Sequence, residues 1–223
     1  SFRQAGERVV VIERDEANGW LEPCRAYGAI IIIGNAADAQ ILKKAATAKA
    51  RTLIAVCDDS TNTEIALQAR QIMRDHPRRV LTCSLHIVDP QLYNLLRNQV
   101  LEMEGAGGFR LELFNVYDRG AQLLVKELPL LLDGGPVTAP AVPCLVVIGL
   151  GQLGQNLVVS AARAWWESNR PITQRLRILA VDREANWKTE VLHARYPRLS
   201  QACELIPFEM DVRSPAFQRG DFL

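Results

Sequence analysis

The chain has 223 residues, of which 48% are hydrophobic and 23% are charged, and its formal net charge is +1. This composition suits one large or two small globular domains and excludes wholesale disorder. The basic residues are spread along the chain, which argues against a nucleic-acid-binding surface, since such a surface needs a basic patch to release phosphate counterions.

The five cysteines stand singly and form no Cys-x-x-Cys pair, which predicts a reduced, intracellular protein without a metal site. The longest apolar runs are strand-sized, well below the roughly 20 residues of a membrane-spanning helix. The first eight residues lack the apolar core of a signal peptide. We therefore expect a cytoplasmic chain, and this pattern leaves open a membrane-embedded partner or a membrane segment beyond its ends.

The first part of the chain alternates short Val/Ile/Leu runs with amphipathic segments of helical length, which predicts parallel strands covered by helices on both faces. The predicted strands are Val9–Ile12, Ala29–Ile33, Thr52–Val56, Val80–Leu85 and Phe109–Val116. The predicted helices are Ala17–Tyr27, Ala37–Ala46, Thr61–Arg74, Asp89–Arg97 and Asp118–Leu132.

The stretch 133–143 contains two glycines and three prolines, and this composition predicts a linker. The strand–helix pattern then restarts with strands at Cys144–Ile148, Arg177–Val181 and Ala202–Phe208 and helices at Gln152–Glu167 and Ala185–Ala194. The predicted fold is therefore α/β, with tandem Rossmann-like doubly wound parallel sheets, both apparently truncated. The first unit spans residues 1–132 and the second unit residues 144–223.

The restart is an internal repeat. Val9–Asn18 aligns with Ile178–Asn186 when the acidic strand ends Glu13 and Asp182 are matched. Farther along, Gly34–Asp38 falls opposite residues 210–214. Duplication of one unit is the simplest explanation, and chance convergence of two parallel-sheet domains is the alternative.

The sharpest local signal is a Gly-x-Gly-x-x-Gly motif that begins at Gly149, directly between a predicted strand and a predicted helix. This context is the one that a dinucleotide-binding loop requires. Gly149 would permit the tight turn, Gly151 would let a pyrophosphate approach the backbone, and Gly154 would let helix and strand pack closely. The first N–H groups of the helix, at Gln152 and Leu153, would hold the phosphates at the positive end of the helix dipole.

Asp182 ends the next predicted strand, where a carboxylate accepts the ribose hydroxyls of an adenosine. It lies farther from the glycines than the usual interval of about 20 residues, and the excess falls in the polar stretch Ser168–Arg175. Arg183 would attract a ribose 2′-phosphate that Asp182 would repel, so the sequence favours NAD or NADH over NADP. ATP or ADP is the alternative, and the adjacent Asp58 and Asp59 leave a divalent cation open.

In the first unit Glu13 occupies the ribose position, but no glycine loop precedes it. The first strand of a doubly wound sheet lies centrally, so its absence leaves two interior strand edges unpaired. We expect that strand to come from residues before Ser1 or from a partner. Exposed sheet edges also predict a homo-oligomer rather than a monomer.

Four segments of the first unit carry a family pattern, and they are Val9–Asp15, Gly34–Asp38, Ile41–Lys44 and Leu53–Asn62. The pattern runs from an acidic strand end through Gly-Asp-Ala-Thr to an apolar strand followed by Asp and Asn. It resembles the regulator of potassium conductance domain, also called the Trk-type nucleotide-binding domain. The resemblance covers about residues 6–130 well and the second unit in outline. Asn35 and Ala37 stand where the family has Asp and Thr.

The resemblance implies a ligand-binding set in the first unit. Its members are Glu13, Arg14, Gly34, Asn35, Asp58, Asp59 and Asn62. It also implies a cytoplasmic ligand-sensing domain that gates an ion channel or transporter, with potassium as the expected ion. The expected partners are a nucleotide, a membrane channel or transporter subunit or segment, and further copies of the chain, and the expected location is the cytoplasmic face of a membrane.

Two other functions are open at this point. An NAD(P)-dependent oxidoreductase would need a proton donor or acceptor beside the nicotinamide and a substrate pocket. The sequence contains no Tyr-x-x-x-Lys pair, His/Asp dyad or substrate domain, so we predict that the chain is not an enzyme and name no catalytic residue. A purely structural scaffold of two degenerate folds would fit the departures at Asn35 and Ala37.

Overall fold

A computed structural model describes residues 6–103, 108–128, 144–168 and 175–220. Contacts between Cα atoms divide the chain into two compact units, Ser1–Asn115 and Val116–Leu223. Each unit is built from parallel strands joined by helices, and the predicted α/β fold with Rossmann-like units is confirmed. Within the described ranges, no helix has the length and apolar character needed to cross a membrane.

In the described part of the first unit, five parallel strands alternate with helices. The strands are β1 (Val10–Glu13), β2 (Ile30–Ile33), β3 (Thr52–Ala55), β4 (Leu81–His86) and β5 (Phe109–Phe114). The helices are α1 (Leu21–Ala26), α2 (Ala39–Lys44), α3 (Asp59–Arg74) and α4 (Pro90–Met103), with a 3-10 turn at Thr47–Lys49. Most bounds agree with the sequence within a few residues.

Helix α1 is shorter than the predicted segment Ala17–Tyr27. The carboxylate of Asp15 accepts a hydrogen bond from the N–H of Ala17, and the side-chain oxygen of Asn18 accepts one from the N–H of Trp20. These local turns compete with helical hydrogen bonding, because Asp and Asn side chains satisfy nearby backbone groups in non-helical conformations. The helix therefore begins only after them.

The described strands of the first unit form two sheets, β1–β2 and β3–β4–β5. A cavity of about 220 Å³ is lined from both sheets, by residues that include Val10 and Ile12 of β1 and Leu53 and Ile54 of β3. Ile54 is 50% exposed and Val56 is 67% exposed. Both residues line this cavity, and completion of the sheet by a further strand stays a prediction.

Helix α3 packs on one face of the sheet formed by β3, β4 and β5. Asp58 caps its N-terminus, and apolar residues recur on one side at helical spacing. The buried apolar members of that side are Ile65, Ala66, Ala69, Ile72 and Met73. All of these except Ile72 pack with β3, β4 and β5 in the core, which places the first turn of α3 beside the carboxyl ends of these strands.

The described part of the second unit contains a parallel three-stranded sheet in the order β6–β7–β8. The strands are β6 (Cys144–Ile148), β7 (Leu176–Asp182) and β8 (Cys203–Glu209). The helices are α5 (Val116–Lys126), α6 (Gln152–Glu167), α7 (Ala185–Arg195), α8 (Leu199–Ala202) and α9 (Pro215–Arg219). Both β6 and α6 have the predicted bounds.

Helix α5 belongs to the second unit, whereas the sequence placed it, as Asp118–Leu132, in a first unit ending at residue 132. Ala121 and Val125 on its apolar side are buried, and Val125 joins the core that contains Val147 and Leu150. The unit boundary therefore follows Asn115, because α5 buries its apolar side in the second core. The predicted linker at 133–143 lies outside the described residues.

The aligned segments of the repeat make the same backbone hydrogen bond within each unit. The N–H of Gly34 donates to the carbonyl oxygen of Glu13 at 2.9 Å, and the N–H of Met210 donates to that of Asp182 at 3.1 Å. Glu13 and Asp182 thus end equivalent strands. The loop after the next strand begins at an equivalent residue in each unit, Gly34 in the first and Met210 in the second. This agreement supports the duplication inferred from the sequence.

Candidate functional site

The glycine motif of the second unit forms a tight turn between β6 and α6. Gly149 has φ +89°, a left-handed conformation that favours glycine, and its N–H donates to the carbonyl oxygen of Val181 at 2.7 Å. Gln155 donates from Nε2 to the carbonyl oxygen of Leu150 at 3.0 Å. These contacts fix the turn against β7 and the first turn of α6.

Gly154 lies in a crowded position, and Gly151 lies in an open one. A Cβ atom at Gly154 would lie 1.9 Å from the carbonyl oxygen of Gly149, so only glycine fits between helix and turn. A Cβ atom at Gly151 would have no heavy atom within 4 Å apart from its chain neighbours. The structure therefore gives Gly154 the packing role that the sequence predicts, and it leaves open space over Gly151.

Helix α6 is 16 residues long and begins at Gln152, with Gly151 as its N-cap. The first N–H groups of a helix have no hydrogen-bond acceptor within that helix, and they carry the positive end of its dipole. Gln152 and Leu153 are exposed. The start of α6 thus has the backbone geometry and the field that an anionic phosphate requires.

Asp182 lies at the carboxyl end of β7 and contacts the glycine turn directly. Its Oδ2 accepts a hydrogen bond from the N–H of Leu150 at 2.7 Å. Its Oδ1 accepts from Lys188 Nζ at 2.7 Å and from the N–H of Glu184 at 3.0 Å. Lys188 also lies 3.3 Å from Glu184 Oε2. The exposed side chain of Arg183 makes none of these contacts.

The charges at this strand end stabilise one another. Burial opposes ionisation of Asp182, but the hydrogen bonds from Lys188 and from the N–H groups of Glu184 and Leu150 outweigh it and lower the pKa of the Asp182 carboxyl. The hydrogen bond to Asp182 raises the pKa of Lys188. Both groups are therefore ionised at neutral pH.

The lowered pKa predicts that the second unit loses stability in acid. The unfolded carboxyl has a pKa of about 3.9, so the contribution of Asp182 is fully present above that value and is lost as the pH falls through the lower, folded-state pKa. We expect Asp182→Asn to reduce stability at pH 7 and to flatten its decline between about pH 5 and pH 2. Urea unfolding at several pH values, with amide exchange of β7, measures this. The same slope in both proteins would contradict it.

In the first unit Glu13 is held by its own turn. Its Oε1 accepts hydrogen bonds from the N–H groups of Arg14 and Asp15, at 2.6 and 2.9 Å, and its Oε2 accepts from Asn18 Nδ2 at 2.8 Å. The hydrogen bond from the backbone of Asp15 is the main cause that lowers the pKa of Glu13. Glu13 thus shapes the turn after β1.

Gly34 and Asn35 form the turn that follows β2. A Cβ atom at Gly34 would lie 2.7 Å from Ile41 Cδ1, so glycine allows the start of α2 to pack closely there. The side-chain oxygen of Asn35 accepts a hydrogen bond from the N–H of Ala37 at 3.0 Å. Asn35 therefore sets the turn conformation, while Ala37 is buried in the core.

The two aspartates after β3 have separate structural roles. Asp58 caps α3, accepting from the N–H of Thr61 at 2.9 Å and from its hydroxyl at 2.7 Å. Asp59 accepts from the N–H groups of Val88 and Asp89, the closest contacts being 2.9 and 2.8 Å. The Asp58 carboxylate therefore binds the first turn of α3, whereas the Asp59 carboxylate binds the turn after β4.

Asn62 is fully buried and joins two strand ends. Its Oδ1 accepts from the N–H of Cys57 at 2.8 Å, and its Nδ2 donates to the carbonyl oxygens of Cys57 at 2.9 Å and His86 at 2.8 Å. The side chain is 0% exposed. Asn62 thus holds the end of β3 beside the end of β4 from within the core, whereas the family resemblance had placed it in the ligand-binding set.

Sequence reasoning missed two polar residues at these strand ends. Lys188 lies on α7, and only the folded structure shows that its side chain returns to Asp182. Asp211 stands opposite Asn35 in the internal repeat, and its Oδ1 accepts from the N–H of Arg213 at 2.8 Å in the same kind of turn. The repeat alignment contained the signal for Asp211.

Comparison with known proteins supports these assignments of fold. The family model of the TrkA-N domain matches residues 1–100. No curated protein matches the chain.

Solved structures of GsuK resemble the chain in fold. A crystal structure of GsuK bound to ADP has a TM-score of 0.58 at 15% identity, over 98% of this chain and 45% of that one. A GsuK channel bound to NAD has a TM-score of 0.51 at 12% identity, over 92% of this chain and 57% of that one. The chain thus spans about half the length of these structures. Residues 1–100 thus match the model of the TrkA-N domain, which confirms the resemblance of the sequence to the Trk-type nucleotide-binding family.

Proposed function

We propose that this chain is a cytoplasmic nucleotide-sensing module that regulates an ion channel or transporter, with potassium as the transported ion. The observation that carries the proposal is the turn from Gly149 to Gly154, with its left-handed first glycine, open second glycine and sterically required third glycine. The TrkA-N match supports it. So does the likeness in fold to GsuK structures that hold ADP or NAD.

In the second unit, the proposed ligand lies across the carboxyl ends of β6 and β7. Its phosphates meet the N–H groups of Gln152 and Leu153 at the start of α6, where the open space over Gly151 admits them. Its ribose meets Asp182 beside the exposed Arg183. The geometry supports this placement because the N–H of Leu150 already joins the glycine turn to the Asp182 carboxylate.

We propose a second nucleotide site at the corresponding strand ends of the first unit. Glu13 and Arg14 follow β1 there, and Gly34 and Asn35 follow β2 in the equivalent register. Since Asp58, Asp59 and Asn62 bind backbone groups, they support the site by holding the strand ends in place. Within the predicted ligand-binding set, these three residues therefore position the strand ends.

Regulation requires that the ligand prefer one of two conformations, because a ligand shifts an equilibrium only through its differential affinity for the two states. We propose NAD or NADH as the signal, with ATP or ADP as the alternative, and further copies of the chain together with a channel or transporter subunit as partners. A calorimetric panel of NAD, NADH, NADP, ATP, ADP and divalent ions distinguishes these ligands.

The same panel tests the site through Gly151→Asp. The added carboxylate would stand where the phosphates approach, and like charges in contact cost several kcal/mol. We expect binding at the second unit to weaken at least about 100-fold. Folding should be unchanged, because no heavy atom lies within 4 Å of the new Cβ apart from its chain neighbours.

Gln201→Glu is the matched control. Gln201 is exposed, and its helix precedes β8, so it lies toward the amino edge of the parallel sheet while the glycine turn lies at the carboxyl edge. It adds the same charge and should leave binding intact. Retained affinity in Gly151→Asp would contradict the site. Failure of every nucleotide to bind would favour the scaffold, and consumption of NADH with an added metabolite would favour the oxidoreductase.

A further inference from the structure

The proposed ribose acceptor is already occupied by a lysine of the same unit. An ionised carboxylate offers about four acceptor positions on its two oxygens. Three donors reach Asp182, namely the N–H groups of Leu150 and Glu184 and the ammonium of Lys188. A ribose diol brings two further donors, so it needs one of the occupied positions.

Lys188 is the donor that a ligand can displace. The N–H groups of Leu150 and Glu184 belong to the turns that follow β6 and β7, and they cannot leave without refolding those turns. Lys188 reaches Asp182 through a flexible side chain that is 18% exposed, against 13% for the carboxylate. Its Nζ also lies 3.3 Å from Glu184 Oε2. Glu184 is mostly exposed, so the ammonium keeps an ionic partner after it leaves Asp182.

We propose that Lys188 is an internal competitor of the ribose diol, which moves from Asp182 to Glu184 when a nucleotide binds. This inference rests on the proposed nucleotide site of the second unit. Lys188 thereby lowers the affinity for ligands with an intact cis-diol. It also keeps the Asp182 carboxylate paired in the structure described here, because an unpaired, partly buried charge would destabilise the strand end.

Lys188→Met tests the proposal, because it removes the ammonium and keeps an unbranched apolar stem. Asp182 retains the N–H groups of Leu150 and Glu184 and gains an open acceptor position. We expect ADP to bind the second unit about tenfold more tightly, since a charge-assisted hydrogen bond no longer has to be broken. The affinity for 2′,3′-dideoxy-ADP, which lacks the diol, should stay within about twofold of wild type.

The measurement is calorimetric titration of the full chain, with the Gly151→Asp protein used to identify heat from any site in the first unit. Lys126→Met is the control, because Lys126 is exposed on α5 of the same unit and its loss changes net charge equally. Lys188→Arg should keep the ion pair and the wild-type affinity for ADP.

Equal or weaker binding of ADP by Lys188→Met, with wild type still binding, would overturn this inference and leave the proposed function standing. A gain of similar size for 2′,3′-dideoxy-ADP would also overturn it, because the effect would then be one of charge. If neither wild type nor variant binds ADP or NAD, the proposed function fails and this inference fails with it.

Discussion

Replacing Gly154 with alanine is expected to destabilise the second unit by at least about 3 kcal/mol, at the upper end of the usual cost of overpacking. The new Cβ would lie 1.9 Å from the carbonyl oxygen of Gly149 and 3.0 Å from its carbonyl carbon. Both atoms belong to the backbone of a turn that is hydrogen-bonded to Val181. Relief therefore requires α6 to move away from β6, which would open the core around Val147 and Val158.

Gly151→Ala is the matched control for this substitution. Gly151 has φ −72°, which alanine adopts without strain, and a Cβ there meets open space. Its stability should stay within about 1 kcal/mol of wild type. Urea unfolding with amide exchange of β6 and β7 measures both variants. Equal stability of the two would show that the turn between β6 and α6 does not pack as described.

These glycine variants also separate folding from ligand binding. Gly154→Ala is expected to lose nucleotide binding because the turn itself is distorted. Gly151→Ala is expected to weaken binding while remaining folded, because its methyl group enters the space proposed for the phosphates. A Gly151→Ala protein with wild-type affinity would place the phosphates elsewhere.

Asn62→Ala is expected to destabilise the first unit by about 3 kcal/mol, since the substitution removes three hydrogen bonds between a buried side chain and the backbone. The N–H and carbonyl of Cys57 and the carbonyl of His86 all lose their hydrogen bond to the amide. Because the side chain is fully buried, bulk water does not reach the backbone groups that lose these hydrogen bonds. The ends of β3 and β4 would then separate more easily, and amide exchange at Cys57 and in β4 should accelerate.

Glu64→Ala provides the comparison on the same helix. Glu64 is exposed, and surface substitutions of this kind change stability by about 0.5 kcal/mol or less. Asn62→Asp adds a sharper test, because it keeps the size of the side chain but presents carboxylate oxygens to two carbonyl groups. It should be at least as damaging as Asn62→Ala at neutral pH. Wild-type stability in both Asn62 variants would refute the structural role.

The sequence predicted the second unit closely because its signals are local. The apolar run of β6 and the glycines after it require a strand, a tight turn and a helix in that order, and β6 and α6 begin and end at the predicted residues. The repeat alignment also placed Glu13 and Asp182 at equivalent strand ends, as the shared backbone hydrogen bonds now show. The internal repeat and the TrkA-N resemblance were both visible in the residues.

The unit boundary was not predictable in the same way. Helix α5 follows β5 after a single residue, so proximity along the chain assigns it to the first unit. Its amphipathic pattern shows that one side is buried, but not which core buries it. The folded chain decides that question, because Val125 packs with Val147 and Leu150.

By itself, the sequence determined the α/β class, the order of the elements, the glycine turn and the resemblance of the first unit to the Trk-type family, because periodicity and glycine placement act over neighbouring residues. Only the tertiary structure decided what each polar side chain does. The family resemblance places Asn62 and Asp59 in the ligand-binding set, and the structure shows that they bind backbone groups from β4 and the turn after it. Lys188 lies within a helix that the sequence predicts, and only the structure shows that it reaches Asp182. A hydrogen bond forms where the fold brings a donor and an acceptor together, and no local sequence pattern encodes the distance between those two groups.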